Sequence, residues 1–297
     1  MRLTSPTCAI LLAFAAASLA LGDGDRLTHL DEFSDPYYVG LDTAKLVTPQ
    51  WIGEEGVEAA IILSIDDMRD SAPYEAFLRP ILQRLKAIDG RAPASIMAPR
   101  VDPGDPQLAK WFAEGVSVEA HTLDHPCPCL QKNDFAKAKA TYDGCIDLLT
   151  TIPNYRPVAF RMPCCDSMNS MSPRFYSEVF NKTTPQGNFL QMNSSVFMVF
   201  TPKDPSLPLE AVIDEEGRRR FDKYVPLDRN FVNYVEDYPY PYVVAGLCWE
   251  MPSAIPDDWL GFNAFGPHGA TTVRDMKAAI DATVIKKGVF TLTFHPG

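Results

Sequence analysis

Apolar runs along this chain alternate with amphipathic stretches once an irregular first segment has passed. Residues 57–65 are almost continuously apolar and end in Asp66 and Asp67, which is typical of a strand buried on both faces. Residues 74–88 then repeat apolar side chains at helical spacing, in spite of Pro80. The pattern therefore predicts a strand followed by a helix, the first unit of an α/β sheet.

The same alternation continues to the end of the chain. It predicts further strands at 94–98, 116–120, 158–162, 242–247 and 289–294, and further helices at 106–114, 134–150, 173–180 and 273–286. Asn133 and either Thr271 or Thr272 are the predicted helix N-caps, and Gly288 is the predicted stop signal. Repeated strand–helix units predict a parallel sheet covered by helices.

The stretch 181–241 has no clear period and is rich in proline, asparagine and aromatic residues. We expect a long insertion there, with local strands such as 195–200. Its basic run, 218–220, is interpreted as a solvated turn rather than a phosphate site. No internal repeat is apparent.

The N-terminus has the features of a secretory signal. Arg2 is the only charge in the first 22 residues, and the apolar run 9–21 is too short to span a bilayer. Small residues end this run and acidic, polar sequence follows. We therefore predict a signal peptide at 1–22 and a secreted, cell-envelope or periplasmic protein.

The predicted signal peptide is followed by a leader segment at 23–56 and a catalytic domain at 57–297. A domain seldom ends two residues after a candidate functional residue such as His295, so the natural chain is expected to continue beyond Gly297.

Composition narrows the class of protein. The chain is 46% hydrophobic and 22% charged, as expected for a globular protein. Its net charge of -11 becomes -12 when Arg2 is removed with the signal, which argues against electrostatic binding of nucleic acid or an anionic membrane. No other stretch predicts a membrane span, and the oligomeric state stays open.

Six cysteines remain after the predicted signal is removed: Cys127, Cys129, Cys145, Cys164, Cys165 and Cys248. An even number in an exported chain favours disulfides, although their connectivity cannot be derived from the sequence. A zinc–thiolate cluster is less favoured because the paired Cys-x-x-Cys spacing is absent.

Side chains that could take part in catalysis or metal binding follow the predicted strands. In parallel α/β folds, functional groups collect where the strands end. The residues at such positions are Asp66, Asp67, His121, His125, Arg161 and His295. We therefore expect them to lie at one end of the fold.

A metal site accounts for several of these residues. The spacing of four between His121 and His125 would place both rings on one side of a helical turn. With one carboxylate of the Asp66–Asp67 pair they form a three-ligand site, which leaves a position open for catalysis. The ligands suit zinc, with cobalt, nickel or iron as substitutes. A helix N-cap is the alternative role for the acidic pair.

These residues also resemble a known family. The motifs occur in the order Ser64-Ile65-Asp66-Asp67, His121-x-x-x-His125, Arg161-x-Pro163 and Leu292-x-x-His295-Pro296. Together they resemble the polysaccharide deacetylase superfamily, carbohydrate esterase family 4, over about 57–297. The resemblance implies a distorted (β/α) barrel with fewer strands than the standard eight.

The resemblance also implies a role for each matching residue. Asp66 would be the general base, and Asp67 would bind the metal together with His121 and His125. Arg161 would orient the base. The residue after Pro163, which is Cys164, would donate its backbone N–H to the oxyanion, and His295 would be the general acid.

The chain departs from the family pattern in two respects. Cys164 and Cys165 stand where the family often has an aromatic residue, which puts substrate contacts there in doubt. The family's tryptophan motif has two candidates here, Trp249 and Asp258-Trp259.

The implied function is metal-dependent removal of acetyl groups from an N-acetylated polysaccharide such as peptidoglycan or a chitin-like polymer. An O-acetyl esterase acting on xylan or another glycan is the alternative within the family. A secreted carbohydrate-binding protein without turnover, or a disulfide-rich envelope protein, would be the alternatives from other classes.

Overall fold

The computed structural model describes residues 56–165, 171–225 and 234–296. The predicted signal peptide and almost all of the leader segment lie outside these residues. Within these ranges, no helix has both the length and the apolar character needed to cross a bilayer.

Strands and helices alternate over most of the described chain. The strands are β1 (Ala60–Ile65), β2 (Ala94–Ala98), β3 (Val116–Ala120), β4 (Ala159–Phe160), β5 (Met192–Asn193), β6 (Phe197–Val199), β7 (Tyr234–Glu236), β8 (Tyr242–Val244), β9 (Cys248–Glu250), β10 (Ser253–Ala254) and β11 (Val289–Phe294). The α-helices are α1 (Ser71–Asp89), α2 (Pro106–Glu114), α3 (Phe135–Leu149), α4 (Pro173–Phe175), α5 (Leu209–Val212), α6 (Asp258–Phe265) and α7 (Ala270–Ile285). Short 3₁₀ turns occupy Gln131–Asn133 and Asp222–Tyr224, and a π turn, Tyr176–Phe180, extends α4.

The strands form one sheet in the order β7-β6-β10-β11-β1-β2-β3-β4-β5-β9-β8. Every pairing is parallel except that of β8 with β9. The predicted parallel sheet is confirmed, and the single antiparallel pair lies at its edge.

The chain itself curls this sheet into a barrel. β5 and β6 lie near opposite edges, yet only the short segment from Asn193 to Phe197 connects them. Four residues span at most about 15 Å. β9 and β10 are joined just as closely, so the two edges must approach each other. The fold is therefore the distorted (β/α) barrel that the family resemblance implies.

We call the junction of β9 with the segment between β5 and β6 the seam of the barrel. The carboxylate of Glu250 stabilises this seam through hydrogen bonds. Glu250 ends β9 and is fully buried. Its Oε1 accepts from the backbone N–H groups of Ser195 (2.9 Å) and Val196 (3.0 Å), which lie between β5 and β6. Its Oε2 accepts from Tyr176 (3.0 Å) and from Asn193. Burial raises the pKa of Glu250 to about 7, although these hydrogen bonds oppose the rise.

Several predicted elements agree with the structure. β2, β3, α2 and β11 have the predicted bounds. β1 begins three residues later than predicted, and its first half is exposed rather than buried on both faces. α1 runs through Pro80 as expected.

The helix caps differ from the prediction. Asp134, not Asn133, caps α3, because its carboxylate accepts from the Lys137 N–H at 2.9 Å. Thr271 and Thr272 lie inside α7, which Gly269 precedes. α7 also ends at Ile285, before Gly288.

Within the segment 181–241, where the sequence predicts an insertion with local strands, β5, β6 and β7 belong to the barrel sheet. The segment 242–247 forms only β8 and a turn. Arg220 is not in a solvated turn: it is buried, and its guanidinium binds the Asp275 carboxylate of α7 at 2.8 Å.

The raised pKa of Glu250 predicts a pH-dependent stability. The pKa of this carboxyl rises from 4.5 to about 7 on folding, so its protonated form stabilises the folded state. This stabilisation is fully present below pH 4.5 and is lost as the pH rises through 7. Ionisation of Glu250 should lower the unfolding free energy of the wild type by about 3 kcal/mol between pH 5 and pH 8. Glu250→Gln should lack this decrease, because the amide cannot ionise. Urea titration across this range measures the slope.

The exposed Glu58 provides the control, since Glu58→Gln should leave the slope unchanged. An unaltered slope in Glu250→Gln would contradict the proposed ionisation of the buried carboxyl.

Candidate active site

Four predicted site residues follow directly on strands at one end of the barrel. They are Asp66 after β1, His121 after β3, Arg161 after β4 and His295 after β11. These strands run parallel and are neighbours in the sheet apart from the intervening β2. The topology therefore brings together residues that are up to 229 positions apart in sequence.

Asp66 and Arg161 form a buried ion pair. Arg161 Nη1 lies 3.0 Å from Asp66 Oδ1, and both side chains are almost completely inaccessible to solvent. Arg161 also donates from Nη1 to Ser64 Oγ (2.7 Å), from Nε to the Ser194 carbonyl (2.8 Å) and from Nη2 to Ser194 Oγ (2.8 Å). This guanidinium has a partner for each of its nitrogens, so it can hold the Asp66 carboxylate in one orientation.

Asp67 lies beside the two histidines. Its Oδ1 is 2.7 Å from His125 Nε2 and 3.4 Å from His121 Nε2. One ligand atom from each of the three residues falls within 4.8 Å of the other two. Burial raises the pKa of Asp67, but the adjacent imidazoles outweigh burial and lower this pKa far below its usual range.

Two observations test whether these residues fit a metal ion. His121 Nδ1 is 2.7 Å from the Arg161 carbonyl, which can only accept, so Nδ1 carries the proton and Nε2 presents a lone pair to Asp67. Asp67 Oδ1 is buried and has no aligned hydrogen bond, although His125 Nε2 is close. A carboxylate oxygen and the ring nitrogens of two histidines that converge within 4.8 Å fit a zinc-type site.

The segment that carries both histidines is a loop, so the predicted helical turn is wrong. Thr122 and His125 have positive φ angles of 60° and 54°, which bend the chain and bring the two imidazole centroids to 5.0 Å. The Thr141 hydroxyl of α3 fixes the bend: it donates to Asp124 Oδ1 (2.7 Å) and accepts from the Leu123 N–H (3.1 Å).

Five residues at the site have left-handed backbone. Asp67, Thr122, His125, Cys164 and Cys165 all have positive φ and none is glycine. Such conformations cost on the order of 1–3 kcal/mol each and accumulate at functional sites. Here they direct side chains away from the strand axes and toward one another.

His295 is held by a residue that the sequence analysis did not assign to it. Asp258, the first residue of α6, accepts from the His295 backbone N–H (2.6 Å) with Oδ2 and from its ring Nδ1 (2.9 Å) with Oδ1. Burial lowers the pKa of His295, but the Asp258 hydrogen bond and the charges of Asp66, Asp258 and Asp67 raise it to about 9. The ring is therefore protonated at neutral pH, with Nε2–H available as a donor.

α6 also brings a tryptophan to the site. The buried carboxylate of Asp257 caps this helix at the Leu260 N–H (2.7 Å), and burial raises the pKa of Asp257 to about 7. The cap fixes the start of α6, so that the Trp259 ring lies 6.2 Å from the His295 ring. Of the two tryptophan candidates, Trp259 lies at the site, whereas Trp249 lies in β9.

A disulfide connects two of the site loops. Cys127, two residues after His125, is bonded to Cys164, and their Cα atoms are 5.8 Å apart. Among the described cysteines, Cys129, Cys145, Cys165 and Cys248 are free and buried. The predicted preference for disulfides is thus met by one bond, which ties the expected oxyanion donor to the loop of a predicted metal ligand.

A cleft of about 500 Å³ lies between the loops that follow β1 and β2. Its lining includes Met68, which follows Asp67 in sequence, but none of the predicted site residues. We therefore assign this cleft no role in the candidate site.

Residues 54–173 match the family model described as Polysaccharide deacetylase. The predicted family resemblance is therefore confirmed. This match also supports the prediction that the chain is a hydrolase of the polysaccharide deacetylase type. The matched segment contains the predicted base, the predicted metal ligands and Arg161. A comparison with curated proteins finds no match.

Solved structures with a similar course include peptidoglycan deacetylase PdaC from Bacillus subtilis, which is 16% identical over 79% of this chain and 87% of its own, with a TM-score of 0.33. A family 4 carbohydrate esterase from Streptomyces lividans is 12% identical over 78% and 91%, with a TM-score of 0.36. The catalytic domain of a peptidoglycan N-acetylglucosamine deacetylase from Eubacterium rectale is 13% identical over 86% and 97%, also at 0.36. Likeness at this level does not identify a shared substrate.

The contact between Asp258 and His295 predicts a change in proton affinity. Asp258→Asn should lower the pKa of His295 from about 9 toward its ordinary value of 6.5, because the charge that stabilises the imidazolium is removed. An NMR titration of the His295 ring in metal-free protein measures this value.

The control is Asp281→Asn, which changes an exposed carboxylate of α7 and should leave the His295 pKa at about 9. A His295 pKa that stays at about 9 in Asp258→Asn would contradict the assignment of Asp258 as the residue that holds the ring protonated.

Proposed function

We propose that this protein is a metal-dependent hydrolase that removes acetyl groups from an N-acetylated polysaccharide. One observation carries the proposal. A carboxylate held by a buried arginine, three residues that could hold a metal ion and a histidine bound by Asp258 lie at one end of the barrel. Amide hydrolysis needs these three groups: a base, an electrophile and an acid.

Asp67, His121 and His125 are the residues that would hold the metal. An ion bound there supplies Lewis-acid polarisation for the attack of water on the acetyl carbon, and zinc suits these ligands best. The His121 hydrogen bond to the Arg161 carbonyl orients its ring toward the other ligands in advance.

Asp66 acts as the general base. It sits next to the ligands, with Oδ2 4.0 Å from His121 Nε2, and Arg161 holds its Oδ1. The oxygen that Arg161 does not bind is free to take a proton from the attacking water. Arg161 therefore positions the base.

The attack creates negative charge on the acetyl oxygen. The backbone N–H of Cys164 donates to this oxyanion, and the disulfide to Cys127 keeps the donor loop against the loop of His125. A backbone donor does not depend on its side chain, so the cysteine in this position is compatible with the role.

His295 is the general acid that protonates the leaving nitrogen. Its Nδ1–H is bound by Asp258, so the proton that it transfers is the one on Nε2. Because the pKa of His295 is raised to about 9, its ring is protonated at neutral pH. The general acid is thus in the state that its role requires.

The substrate that we propose is an N-acetylated glycan, such as peptidoglycan or a chitin-like polymer, located outside the cell or in its envelope. Removal of O-acetyl groups requires the same side chains of the protein, because the leaving oxygen must also be protonated as the C–O bond breaks. A paired comparison of N-acetylated and O-acetylated oligosaccharides distinguishes the two linkages.

The base assignment predicts the effect of Asp66→Asn. This variant should lower the rate of acetate release from N-acetylglucosamine oligosaccharides by about 10²–10⁴-fold, because the amide cannot accept the proton. It should still bind one metal ion per chain, since Asp66 is not among the ligands. Acetate is measured enzymatically and the metal by elemental analysis.

Asp281→Asn serves as the matched control and should keep full activity, since Asp281 is exposed on α7. If Asp66→Asn released acetate at the wild-type rate, the base assignment would be wrong. If the variant lost both acetate release and the metal, Asp66 would belong to the ligand set instead.

A further inference from the structure

An exposed row of aromatic side chains extends along α6 from the candidate active site. Trp259, Phe262 and Phe265 have 54%, 50% and 43% of their surface exposed. Their spacing of three places them along one side of the helix. Large exposed apolar patches on soluble proteins mark interaction sites.

The packing of α6 fixes this orientation. Leu260 is buried on the opposite side of α6, and Gly261 is buried where α6 meets α7. A Cβ atom on Gly261 would lie 2.2 Å from Thr272 Cγ2, so glycine is needed for the close approach of the two helices. The helix cannot rotate to bury its aromatic side without losing this contact.

The rings form an ordered surface. Trp259 and Phe262 are stacked with centroids 5.9 Å apart and planes 21° from parallel. Phe265 continues the row and makes an edge contact with Tyr224 at 5.9 Å. At the other end, Trp259 is 6.2 Å from the His295 ring. The row therefore begins at the predicted general acid and leads away from it.

The chemistry of the row selects its ligand. Residues 259–265 contain no charged side chain. Flat aromatic faces with no charge suit the C–H faces of sugar rings, which pack against π-electron density while their hydroxyl groups stay in water. A charge near the far end of the row is that of Lys223, whose Nζ lies 5.8 Å from the centroid of the Phe265 ring.

We propose that Trp259, Phe262 and Phe265 form a platform on which successive sugar rings of a neutral glycan stack. The inference rests on the proposed function, because His295 protonates the nitrogen of the sugar being deacetylated. That sugar must therefore lie against His295, and the chain continues from it over the aromatic row. The platform makes the enzyme select for polymers over short fragments.

Phe262→Ala tests the platform without altering Trp259. Acetate release is compared on a chitin hexasaccharide and on the disaccharide. The KM for the hexasaccharide should rise by about three- to tenfold, and the loss should be smaller for the disaccharide, which is too short to cover the row. Phe262→Tyr should restore the wild-type KM, because it keeps the ring.

The matched control is Ile88→Ala. Ile88 is 68% exposed near the end of α1, which lies toward the opposite end of the barrel because β2 begins there. This variant should leave the KM for both substrates unchanged. An equal KM for the hexasaccharide in Phe262→Ala and the wild type would overturn the platform.

Binding without turnover separates this inference from the proposed function. The tryptophan fluorescence of each variant is titrated with the hexasaccharide. If the wild type releases no acetate but binds the hexasaccharide more tightly than Phe262→Ala does, the proposed function fails and the platform stands.

A second copy of the chain is the other ligand that an apolar surface could bind. Sedimentation of the wild type and of Phe262→Ala tests for such self-association. A wild-type dimer that Phe262→Ala dissociates, with unchanged glycan binding, would overturn the platform in favour of self-association.

Discussion

The buried ion pair between Arg161 and Asp66 is the constraint on which the site depends. Arg161 follows β4 and reaches across the barrel end to Ser64 and Asp66 at the end of β1, and to Ser194 in the seam. Removal of either charged partner would leave the other charge buried alone, which costs about 3–5 kcal/mol. The same contacts that satisfy the guanidinium therefore hold three parts of the barrel in register and orient the predicted base.

Arg161 also joins the base to the metal ligands. Its side chain binds Asp66, whereas its carbonyl accepts the Nδ1 proton of His121. One residue thus sets both the orientation of the carboxylate and the tautomer of a predicted ligand. The left-handed residues Asp67, Thr122 and His125 complete the arrangement, because they turn the chain where the strands end.

The closure of the barrel explains why this arrangement is stable. Met162, next to Arg161, donates its N–H to Ser195 Oγ at 2.9 Å, and Glu250 binds the Ser195 N–H. The polar network at the seam therefore continues into the site. A substitution of Glu250 would therefore alter the position of Arg161, because residues 194 and 195 connect the two side chains.

The sequence predicts the parts of the fold that have long hydrophobic periods. β2, β3, β11 and α2 have the predicted bounds because their apolar runs are bordered by clear turn residues. β5, β6 and β7 contain only two or three residues each, too few to show a period, and they pair with strands that are distant in sequence. The segment 181–241 is therefore interpreted from the sequence as an insertion, although its strands belong to the barrel sheet.

The candidate site shows a similar limit. The residues that follow long strands, such as Asp66, His121 and His295, were found because of their position along the chain. Asp258 was assigned only to a tryptophan motif, since its contact with His295 spans 37 positions and has no local signature. The helical turn expected for His121 and His125 was wrong because spacing alone does not distinguish a helix from a loop.

The most direct test of the account is acetate release from an N-acetylglucosamine oligosaccharide by purified protein before and after removal of its metal. We expect activity that a chelator abolishes and that one equivalent of zinc restores. His125→Ala, in which a predicted ligand is lost, should stay inactive at that zinc concentration, whereas a change at the exposed His268 should have no effect. Full activity in protein shown by elemental analysis to be free of metal would contradict the central claim.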